Sequence, residues 1–333
     1  MRNKKFRLKV LTAAVFLLLA GGAAAGILHT LRQQSIRNIT AGNSVNMGSG
    51  YRNIVCDGKE YQYNTLVRTI LLAGIDSEGA IGAGSYTDAP RADSIYLAVL
   101  NAENGQLTIL AFDRDTMAEM HRYTVNGKDR GTYTSHICLA YTYGDGGKVS
   151  CENLRDAVSD VLGGIPVQEY LVMNRTSLAR AGELVGDVSL VVPNGDLEAL
   201  YPDYYEGAQV QVGGEMLEPF LRYRDTDTAF SNAGRMERQQ VYIRGFLEKF
   251  QGRLKKDPKK LWEEFAGVED AFQTSITRNK YLSMAKLLKQ TDFTQDCIWT
   301  IPGERMEGEL HDEFYVDEEA VKEKVLELFY KEV

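Results

Sequence analysis

The chain has 333 residues, of which 44% are hydrophobic and 25% are charged, a composition typical of a folded globular protein. It contains 38 Lys and Arg residues against 46 Asp and Glu residues, so its formal net charge is −8. An acidic chain lacks the broad positive surface that nucleic acids need, and we therefore expect no nucleic-acid partner.

The first nine residues contain five basic side chains and no acidic one. Residues 10–28 follow without an ionisable side chain. As a helix they would span about 28 Å, enough for the core of a bilayer. Because basic flanks stay in the cytoplasm, we predict a cytoplasmic tail at residues 1–9, a transmembrane anchor at 10–28, and an extracytoplasmic C-terminal domain in the cell membrane. A cleavable signal peptide is the alternative, since Ala23-Ala24-Ala25 resembles a cleavage site.

Residues 29–68 predict an extracytoplasmic stalk and lead-in, because Asn, Ser, Gly and Gln are frequent there. Residues 69–333 predict one globular domain in which apolar runs of strand length alternate with helical patterns. The predicted strands cover 69–75, 94–100, 106–112, 169–173, 187–192 and 297–301. The predicted helices cover 151–162, 175–185, 278–289 and 317–331, with others near Gly214 and Gly234. This alternation predicts a three-layer α/β/α domain with a mixed central sheet.

Two local signals refine this prediction. Ser150 is expected to cap the helix at 151–162, and Gly163-Gly164 to end it. Asn104-Gly105 predicts a hairpin between the strands on either side of it.

The hairpin brings several charged residues to one edge of the sheet. In an antiparallel pair, the start of the first strand lies beside the end of the second. The residue after strand 69–75 reaches the same edge if that strand runs parallel to 106–112. Open α/β sheets bind ligands at such carboxyl edges. The residues placed together are Asp76, Arg91, Asp93, Arg114 and Asp115. Alone, each is more often a turn former or half of a local ion pair, and only the combination indicates a site.

Between residues 222 and 244 the chain carries five arginines and no lysine. A guanidinium presents a planar fork of donors that fits the edge of a phosphate or carboxylate, which an ammonium does not. The five are Arg222, Arg224, Arg235, Arg238 and Arg244. Near Gly234 the helical spacing separates a polar face from an apolar face, which should be buried. The polar face holds Arg235, Arg238, Gln239 and Tyr242, and the apolar face holds Met236, Ile243, Leu247 and Phe250. We interpret the polar face as an anion-binding wall, with a solvated surface helix as the alternative.

Carboxylates and surplus arginines together suit a pyrophosphate ligand. Mg²⁺ takes one or two carboxylates plus phosphate oxygens, and arginines spread the charge of a transferring phosphoryl group. The sequence has no GxxxxGK[ST] or GxGxxG loop, so a nucleotide in those cradles is not expected.

The cysteines and histidines do not indicate a zinc site. The four cysteines form no CxxC pair, and the four histidines do not cluster. The spacing leaves open whether Cys56, Cys138, Cys151 and Cys297 form disulfides or are isolated buried thiols.

Six segments in order resemble motifs of the LytR–CpsA–Psr (LCP) family of bacterial envelope proteins. They cover roughly residues 69–250, a weaker match continues through Ile301-Pro302-Gly303 to the C-terminus, and the predicted membrane anchor also fits the family. The segments are Leu71-Leu72-Ala73-Gly74-Ile75-Asp76-Ser77, Arg91-Ala92-Asp93-Ser94-Ile95, Phe112-Asp113-Arg114-Asp115-Thr116, Ala140-Tyr141-Thr142-Tyr143-Gly144, Arg222-Tyr223-Arg224 and Gly234-Arg235-Met236-Glu237-Arg238-Gln239-Gln240.

The resemblance implies a Mg²⁺-dependent phosphotransferase of cell wall assembly. Such an enzyme moves an anionic glycopolymer, for example teichoic acid or capsule polysaccharide, from a polyprenyl pyrophosphate carrier to a peptidoglycan sugar hydroxyl. It also implies a pyrophosphatase side activity and an apolar tunnel for the lipid tail. The implied catalytic residues are Asp76, Asp93 and Arg114, and the implied magnesium ligands are the same two aspartates. The implied pyrophosphate-binding residues are Arg91, Arg114, Arg222, Arg224, Arg235, Arg238 and Gln239.

The chain departs from the family pattern in two places. Glu78 stands where the family usually has an arginine, and His136-Ile137-Cys138 replaces Lys-Ile-Asn. These departures affect one phosphate contact and one acceptor-side contact. They leave open a first alternative, a non-catalytic binder of lipid-linked glycans, but we still expect activity because the core arginines and aspartates remain. A second alternative is a transcriptional attenuator, against which the outward topology and the lack of a DNA-binding motif argue.

Overall fold

A computed structural model describes residues 53–82, 86, 89–257, 260, 272–277, 280, 284, 287–288, 291, 297–309 and 311–333. The strands in chain order are β1 (Asn53–Cys56), β2 (Lys59–Tyr63), β3 (Val67–Ile75), β4 (Ala92–Asn101), β5 (Leu107–Phe112), β6 (Met117–Tyr123), β7 (Asp129–His136), β8 (Glu169–Met173), β9 (Val188–Val191), β10 (Gln209–Val212), β11 (Phe272–Thr274), β12 (Ile298–Thr300), β13 (Gly303–Glu307), β14 (Asp312–Val316) and β15 (Tyr330–Glu332). The helices are α1 (Leu139–Thr142), α2 (Lys148–Val161), α3 (Arg175–Val185), α4 (Leu217–Arg222), α5 (Asn232–Lys256) and α6 (Glu318–Phe329), with a 3₁₀ turn at Gly214–Met216 before α4.

A mixed sheet with the strand order β11-β8-β3-β4-β5-β12 lies at the centre of the fold. Strand β4 is antiparallel to both of its neighbours, so β3 and β5 point in the same direction. Strand β8 is parallel to β3, β12 is parallel to β5, and β11 is antiparallel to β8. The mixed α/β fold is therefore confirmed, as is the relation between β3 and β5 that brings their carboxyl ends to one edge.

Helices cover both faces of this sheet. Successive side chains of a strand point to opposite faces. Ile70 and Leu72 accordingly pack with residues of α3, α4 and α5, whereas Leu71 and Ala73 pack with residues of α1, α2 and α6. Because both faces are buried, the central strands are nearly continuous apolar runs rather than alternating ones.

The strand predicted at 187–192 is present but lies outside the central sheet. It forms β9, which pairs with β10 in a separate two-stranded sheet. Helix α5 packs on it, and Val188 and Phe246 belong to one core cluster.

The globular fold begins before residue 69, so part of the predicted stalk at 29–68 belongs to the domain. Strands β1 and β2 form a hairpin, and β2 also pairs with β15, which places Tyr61 opposite Glu332. The composition of residues 53–63 did not predict these strands, because only one face of the small sheet is covered. Tyr63 is buried, whereas Val55 is exposed.

Helix α2 begins earlier than predicted. Its N-cap is Gly147, and Ser150 lies inside the first turn, where its hydroxyl accepts a hydrogen bond from the N–H of Gly146 at 2.8 Å. The predicted end is confirmed, because Gly163 and Gly164 have φ values of +71° and +84°. Such backbone conformations favour glycine and end helices.

Several predictions lie outside the described residues. These are the basic tail, the anchor at 10–28, the first part of the stalk, and most of the helix at 278–289. Of the described ranges, none contains a helix with the length and apolar character needed to cross a bilayer. Cys56, Cys138 and Cys151 are free thiols, and Cys138, Cys151 and Cys297 are buried, which agrees with the isolated-thiol alternative.

We expect Leu71→Ala to lower the free energy of unfolding by about 2–5 kcal/mol, because Leu71 is fully buried in the central strand and its truncation leaves a cavity. Chemical denaturation of the purified protein measures this change. Val191→Ala is the control, since Val191 is exposed and its truncation should change stability by less than about 0.5 kcal/mol. Equal effects of the two substitutions would contradict the packing described.

Candidate active site

The carboxyl edge of the central sheet gathers the charged residues that the hairpin argument predicted. Asp76 follows β3, Asp93 is the second residue of β4, and Arg114 lies two residues beyond β5. The N–H of Asp76 donates to the carbonyl oxygen of Arg91 at 3.1 Å, which ties the end of β3 to the start of β4. The pairing of β3 with β4 shifts register between Gly74 and Ile75 at this end.

Asp93 lies between two arginines. Its Oδ1 accepts a hydrogen bond from Nη1 of Arg114 at 2.5 Å, and its Oδ2 lies 3.7 Å from Nη1 of Arg235. Nη2 of Arg235 also donates to the carbonyl oxygen of Asp93 at 3.3 Å. Arg114 also forms a second ion pair, in which its Nε lies 3.3 Å from Oδ1 of Asp115. Asp93 therefore neutralises a pair of buried guanidinium groups that would otherwise repel one another.

A supporting chain of hydrogen bonds fixes the orientation of Arg235. Nε and Nη2 of Arg235 donate to Oδ1 of Asn232 at 3.1 and 2.6 Å. Nδ2 of Asn232 donates to Oδ1 of Asp113 at 2.6 Å, and Nη2 of Arg305 donates to Oδ2 of Asp113 at 2.8 Å. Burial lowers the pKa of Arg235, partly offset by Asp93, while Arg114 and Arg224 lower it further. The site thus contains a desolvated cation in a crowded positive environment.

A second cluster lies across the site. Arg222, the last residue of α4, donates from Nη2 to Oδ1 of Asp76 and from Nη1 to Oε1 of Glu218 at 2.5 Å. Glu218 also contacts Nη2 of Arg175, the first residue of α3, at 2.5 Å. The ends of β3, α3 and α4 are joined in this way through their charged side chains.

Arg91 and Arg224 are the arginines of the site whose guanidinium groups are not engaged by other described residues and can therefore bind a ligand. Within the described part of the chain, neither makes a side-chain hydrogen bond or ion pair, and both line an open groove of about 1090 Å³. The charged side chains along this groove are Arg91, Arg114, Arg175, Arg222, Arg224, Arg235, Asp76, Asp93, Glu215 and Glu218. Six arginines face four carboxylates, so the groove has a surplus of positive charge that an anionic ligand can neutralise.

Arg238 does not line this groove, and in this respect the predicted anion-binding wall is wrong. Its side chain is 0% exposed. Its guanidinium donates to the carbonyl oxygens of Phe220 and Tyr223, to Oδ1 of Asn194 at 2.9 Å, and to Asp196. The polar face of α5 is buried as well as the apolar face, because α4, Tyr223 and the segment of Asn194 and Asp196 contact it. Arg238 is thus a structural residue that holds the chain bearing Arg222 and Arg224, and Arg244 also lies away from the groove.

Gln239 lines an apolar cavity that adjoins the groove. Its Nε2 donates to Oγ of Ser94 at 3.1 Å and to the carbonyl oxygen of Leu221 at 2.9 Å, and its Oε1 accepts from the hydroxyl of Tyr96 at 2.9 Å. The cavity, of about 110 Å³, lies between the sheet and helices α3 and α5. Its apolar lining includes Leu72, Ile109, Met173, Leu178, Ile243, Phe246 and Leu247, and its charged lining consists of Asp76, Asp93, Arg175, Arg222 and Arg235. An apolar chamber therefore opens beside the arginines.

Two of the residues that depart from the family pattern, His136 and Cys138, lie in a side pocket of about 350 Å³ that adjoins Arg114. Nε2 of His136 lies 2.9 Å from the carbonyl oxygen of Asp312, and Sγ of Cys138 accepts from Nη2 of Arg114 at 3.3 Å. Asp115 lines the same pocket, and burial raises its pKa although Arg114 acts in the opposite direction. His136 and Cys138 are therefore part of the wall of the site.

Asp76 and Asp93, the predicted magnesium ligands, both line the groove and the mouth of the cavity. The described residues contain no group of three or more His, Cys, Asp or Glu side chains arranged to hold a metal. Mg²⁺ is usually held by one or two carboxylates together with substrate phosphates and water. The donor set thus suits an ion that arrives with a phosphorylated ligand.

Sequence reasoning did not single out Arg175 and Glu218. Arg175 is a lone arginine after the helix cap Asn174, and Glu218 lies in the first turn of α4. Neither forms a motif, and their proximity results from the packing of α3 against α4. One signal was available: Glu218 lies four residues before Arg222, a spacing at which helical side chains meet.

The family model of the LytR_cpsA_psr family matches residues 38–328. A relative from Bacillus cereus, polyisoprenyl-teichoic acid--peptidoglycan teichoic acid transferase TagU, is 23% identical over 244 residues, which cover 73% of this chain and 70% of the relative.

Solved structures share the fold. The crystal structure of B. subtilis TagV has a TM-score of 0.57 at 19% identity and covers 79% of this chain and 97% of its own. A structure of TagT bound to LIIa-WTA has a TM-score of 0.55 at 16% identity, with 79% and 90% of the two chains covered.

We expect Arg238→Gln to destabilise the protein by about 3 kcal/mol, the low end of the range for breaking a buried ion pair, because Asp196 stays partly hydrated. Chemical denaturation tests this value. Arg224→Gln serves as the control and should leave stability within about 0.5 kcal/mol, since Arg224 lines the open groove. If the Arg238→Gln variant keeps its stability and loses only ligand binding, Arg238 is a binding residue and its structural role is refuted.

Proposed function

Because the chain belongs to the LytR_cpsA_psr family, we propose that it is a transferase of cell wall assembly. It moves an anionic glycopolymer from a polyprenyl pyrophosphate carrier to a peptidoglycan sugar hydroxyl. The observation that carries this proposal is the junction of an apolar cavity with an arginine-lined groove. That junction suits a ligand with a lipid end and a pyrophosphate. The name of the TagU relative, a teichoic acid transferase acting on a polyisoprenyl-linked substrate and peptidoglycan, supports the same class of reaction.

The pyrophosphate would lie at the mouth of the cavity, with its prenyl chain directed between the sheet and α5. Arg222 and Arg235 present guanidinium groups at this mouth, and Arg224 presents one in the adjoining groove. Each guanidinium can donate two parallel hydrogen bonds to phosphate oxygens. The cavity of about 110 Å³ is small compared with the roughly 300–1,000 Å³ of ordinary ligand pockets. A long prenyl chain therefore requires α3 and α5 to move apart.

In the proposed reaction, the acceptor hydroxyl oxygen attacks the phosphorus that carries the glycopolymer. A new P–O bond forms, the bond from this phosphorus to the bridging oxygen breaks, and polyprenyl phosphate leaves. The hydroxyl proton passes to a carboxylate at the sheet edge. Asp76 is the better acceptor, because it is half exposed and pairs with Arg222, whereas Asp93 is held between Arg114 and Arg235. The arginines stabilise the charge on the transferring group.

Magnesium is part of the proposal, with Asp76 and Asp93 as its protein ligands. Bound together with the pyrophosphate, Mg²⁺ would supply charge neutralisation on the phosphate oxygens. The arginines of the groove neutralise the same oxygens, and an activity assay with and without Mg²⁺ separates the two contributions. A pyrophosphatase side activity, in which water replaces the sugar hydroxyl, belongs to the same proposal.

We expect Asp76→Asn to lower the rate of transfer, or of prenyl pyrophosphate cleavage, by at least about a hundredfold, the scale typical of a lost general base. The melting temperature should stay near that of the parent, since Asp76 is half exposed. Asp203→Asn is the matched control, because Asp203 is exposed and outside the groove. Full turnover by the Asp76 variant would refute its catalytic role, and binding without turnover in the parent would favour the non-catalytic binder.

The proposed topology places residues 1–9 in the cytoplasm, residues 10–28 in the membrane and the rest outside the cell. We expect protease added to intact cells to digest the domain after residue 29 while a tag at the N-terminus stays protected. Lysed cells are the control, in which both should be accessible. A protected domain with an exposed N-terminus would refute this orientation.

A further inference from the structure

Arg175 lies at the boundary between the two parts of the site. It lines both the apolar cavity and the polar groove, as do Asp76, Asp93, Arg222 and Arg235. Its side chain is 32% exposed, and its buried Nε has no hydrogen-bond partner in the described structure. Leu178, on the same helix α3, lines the cavity. Arg175 is thus the charged group of α3 nearest to both the lipid-binding and the anion-binding space.

Glu218 connects Arg175 to Arg222 through a single oxygen atom. Its Oε1 lies 2.5 Å from Nη2 of Arg175 and 2.5 Å from Nη1 of Arg222. An oxygen between two guanidinium groups is also the arrangement that arginines form around a phosphate oxygen. The carboxylate therefore occupies a position suited to a phosphate oxygen, at the mouth of the cavity.

The contacts of Glu218 are suited to exchange. Its side chain is 46% exposed, so it can turn into solvent without a buried charge being left behind. Burial raises its pKa, but the hydrogen bonds and charges of Arg222 and Arg175 outweigh this and keep its pKa below the usual value. Glu218 is consequently an anion that competes with any anionic ligand for the two arginines. The other partner of Arg175, Glu78 at 3.1 Å, is more exposed still.

We propose that Arg175 is a further phosphate-binding residue, which acts with Arg222 on the phosphate next to the prenyl chain, and that Glu218 holds both arginines until this phosphate displaces it. The proposal rests on the proposed function, since that function supplies the prenyl pyrophosphate. It assigns the lipid-side phosphate to Arg175 because this arginine borders the apolar cavity, whereas Arg91 and Arg224 line the groove away from it.

The test is equilibrium binding of geranylgeranyl pyrophosphate to the purified full chain. Arg175→Gln should weaken binding about ten- to a hundredfold, the loss typical of a charged hydrogen bond. Glu218→Gln should tighten it about three- to tenfold, since a competing charge is removed while the side-chain shape is kept. Opposite signs at two paired residues are the distinguishing result, because a salt bridge that only holds α3 to α4 would make both substitutions weaken binding. That second pattern would overturn the proposal.

The same helix supplies matched controls. Arg180 and Glu183 form an exposed ion pair at 2.5 Å on α3, outside the cavity and the groove. Arg180→Gln and Glu183→Gln should leave the affinity unchanged. Arg175→Lys, which keeps the charge and loses the planar fork, should bind between the parent and Arg175→Gln. An Arg175→Gln effect matched by Arg180→Gln would overturn the assignment.

Geranylgeranyl monophosphate, which keeps only the lipid-side phosphate, locates the contact. The loss caused by Arg175→Gln should persist with this probe, and its disappearance would overturn the assignment to that phosphate.

Arg235→Lys separates the proposed function from the proposed role of Arg175. If the parent binds neither probe, the proposed function fails. If the parent binds and Arg235→Lys weakens binding while Arg175→Gln does not, only the role of Arg175 fails.

Discussion

The site depends on keeping several guanidinium groups close together at one edge of the sheet. Like charges at such distances repel, so each close pair needs a carboxylate between its members. Asp93 serves Arg114 and Arg235 in this way, and Glu218 serves Arg175 and Arg222. The two carboxylates differ in burial: Asp93 is enclosed by the sheet edge, whereas Glu218 is half exposed. The first is therefore a fixed part of the site and the second a replaceable one.

The sequence predicts this site well wherever the geometry is local. The turn at Asn104-Gly105 sets the pairing of β4 with β5, and the pairing alone brings Asp93 and Arg114 to one edge. The apolar run of β3 is long enough to identify a buried strand, and the equal direction of β3 and β5 then adds Asp76. Periodicity and turn chemistry act over a few residues, so a single sequence is sufficient to deduce them.

The parts that the sequence does not predict depend on distant segments. Arg235 and Arg238 lie almost one turn apart on α5 and look equivalent, yet one lines the groove and the other is buried against Asp196 and the carbonyl oxygen of Phe220. Helical spacing says which side chains share a face, and it does not say which segment covers that face. For the same reason, the sequence does not identify Arg175 as a site residue. The strands before residue 69 likewise have the composition of a polar lead-in.

The pairing of β2 with β15 also has a consequence for how the chain folds during its synthesis. The register joins Tyr63 to Tyr330, so residues near both ends of the described chain must meet to complete this small sheet. Closing so long a loop costs conformational entropy before any contact is gained, and such non-local pairing is slow. The hairpin of β1 and β2 is synthesised well before β15, so the free edge of β2 stays unpaired until β15 has been made. Removing β15 would leave that edge of β2 open to pairing with other chains.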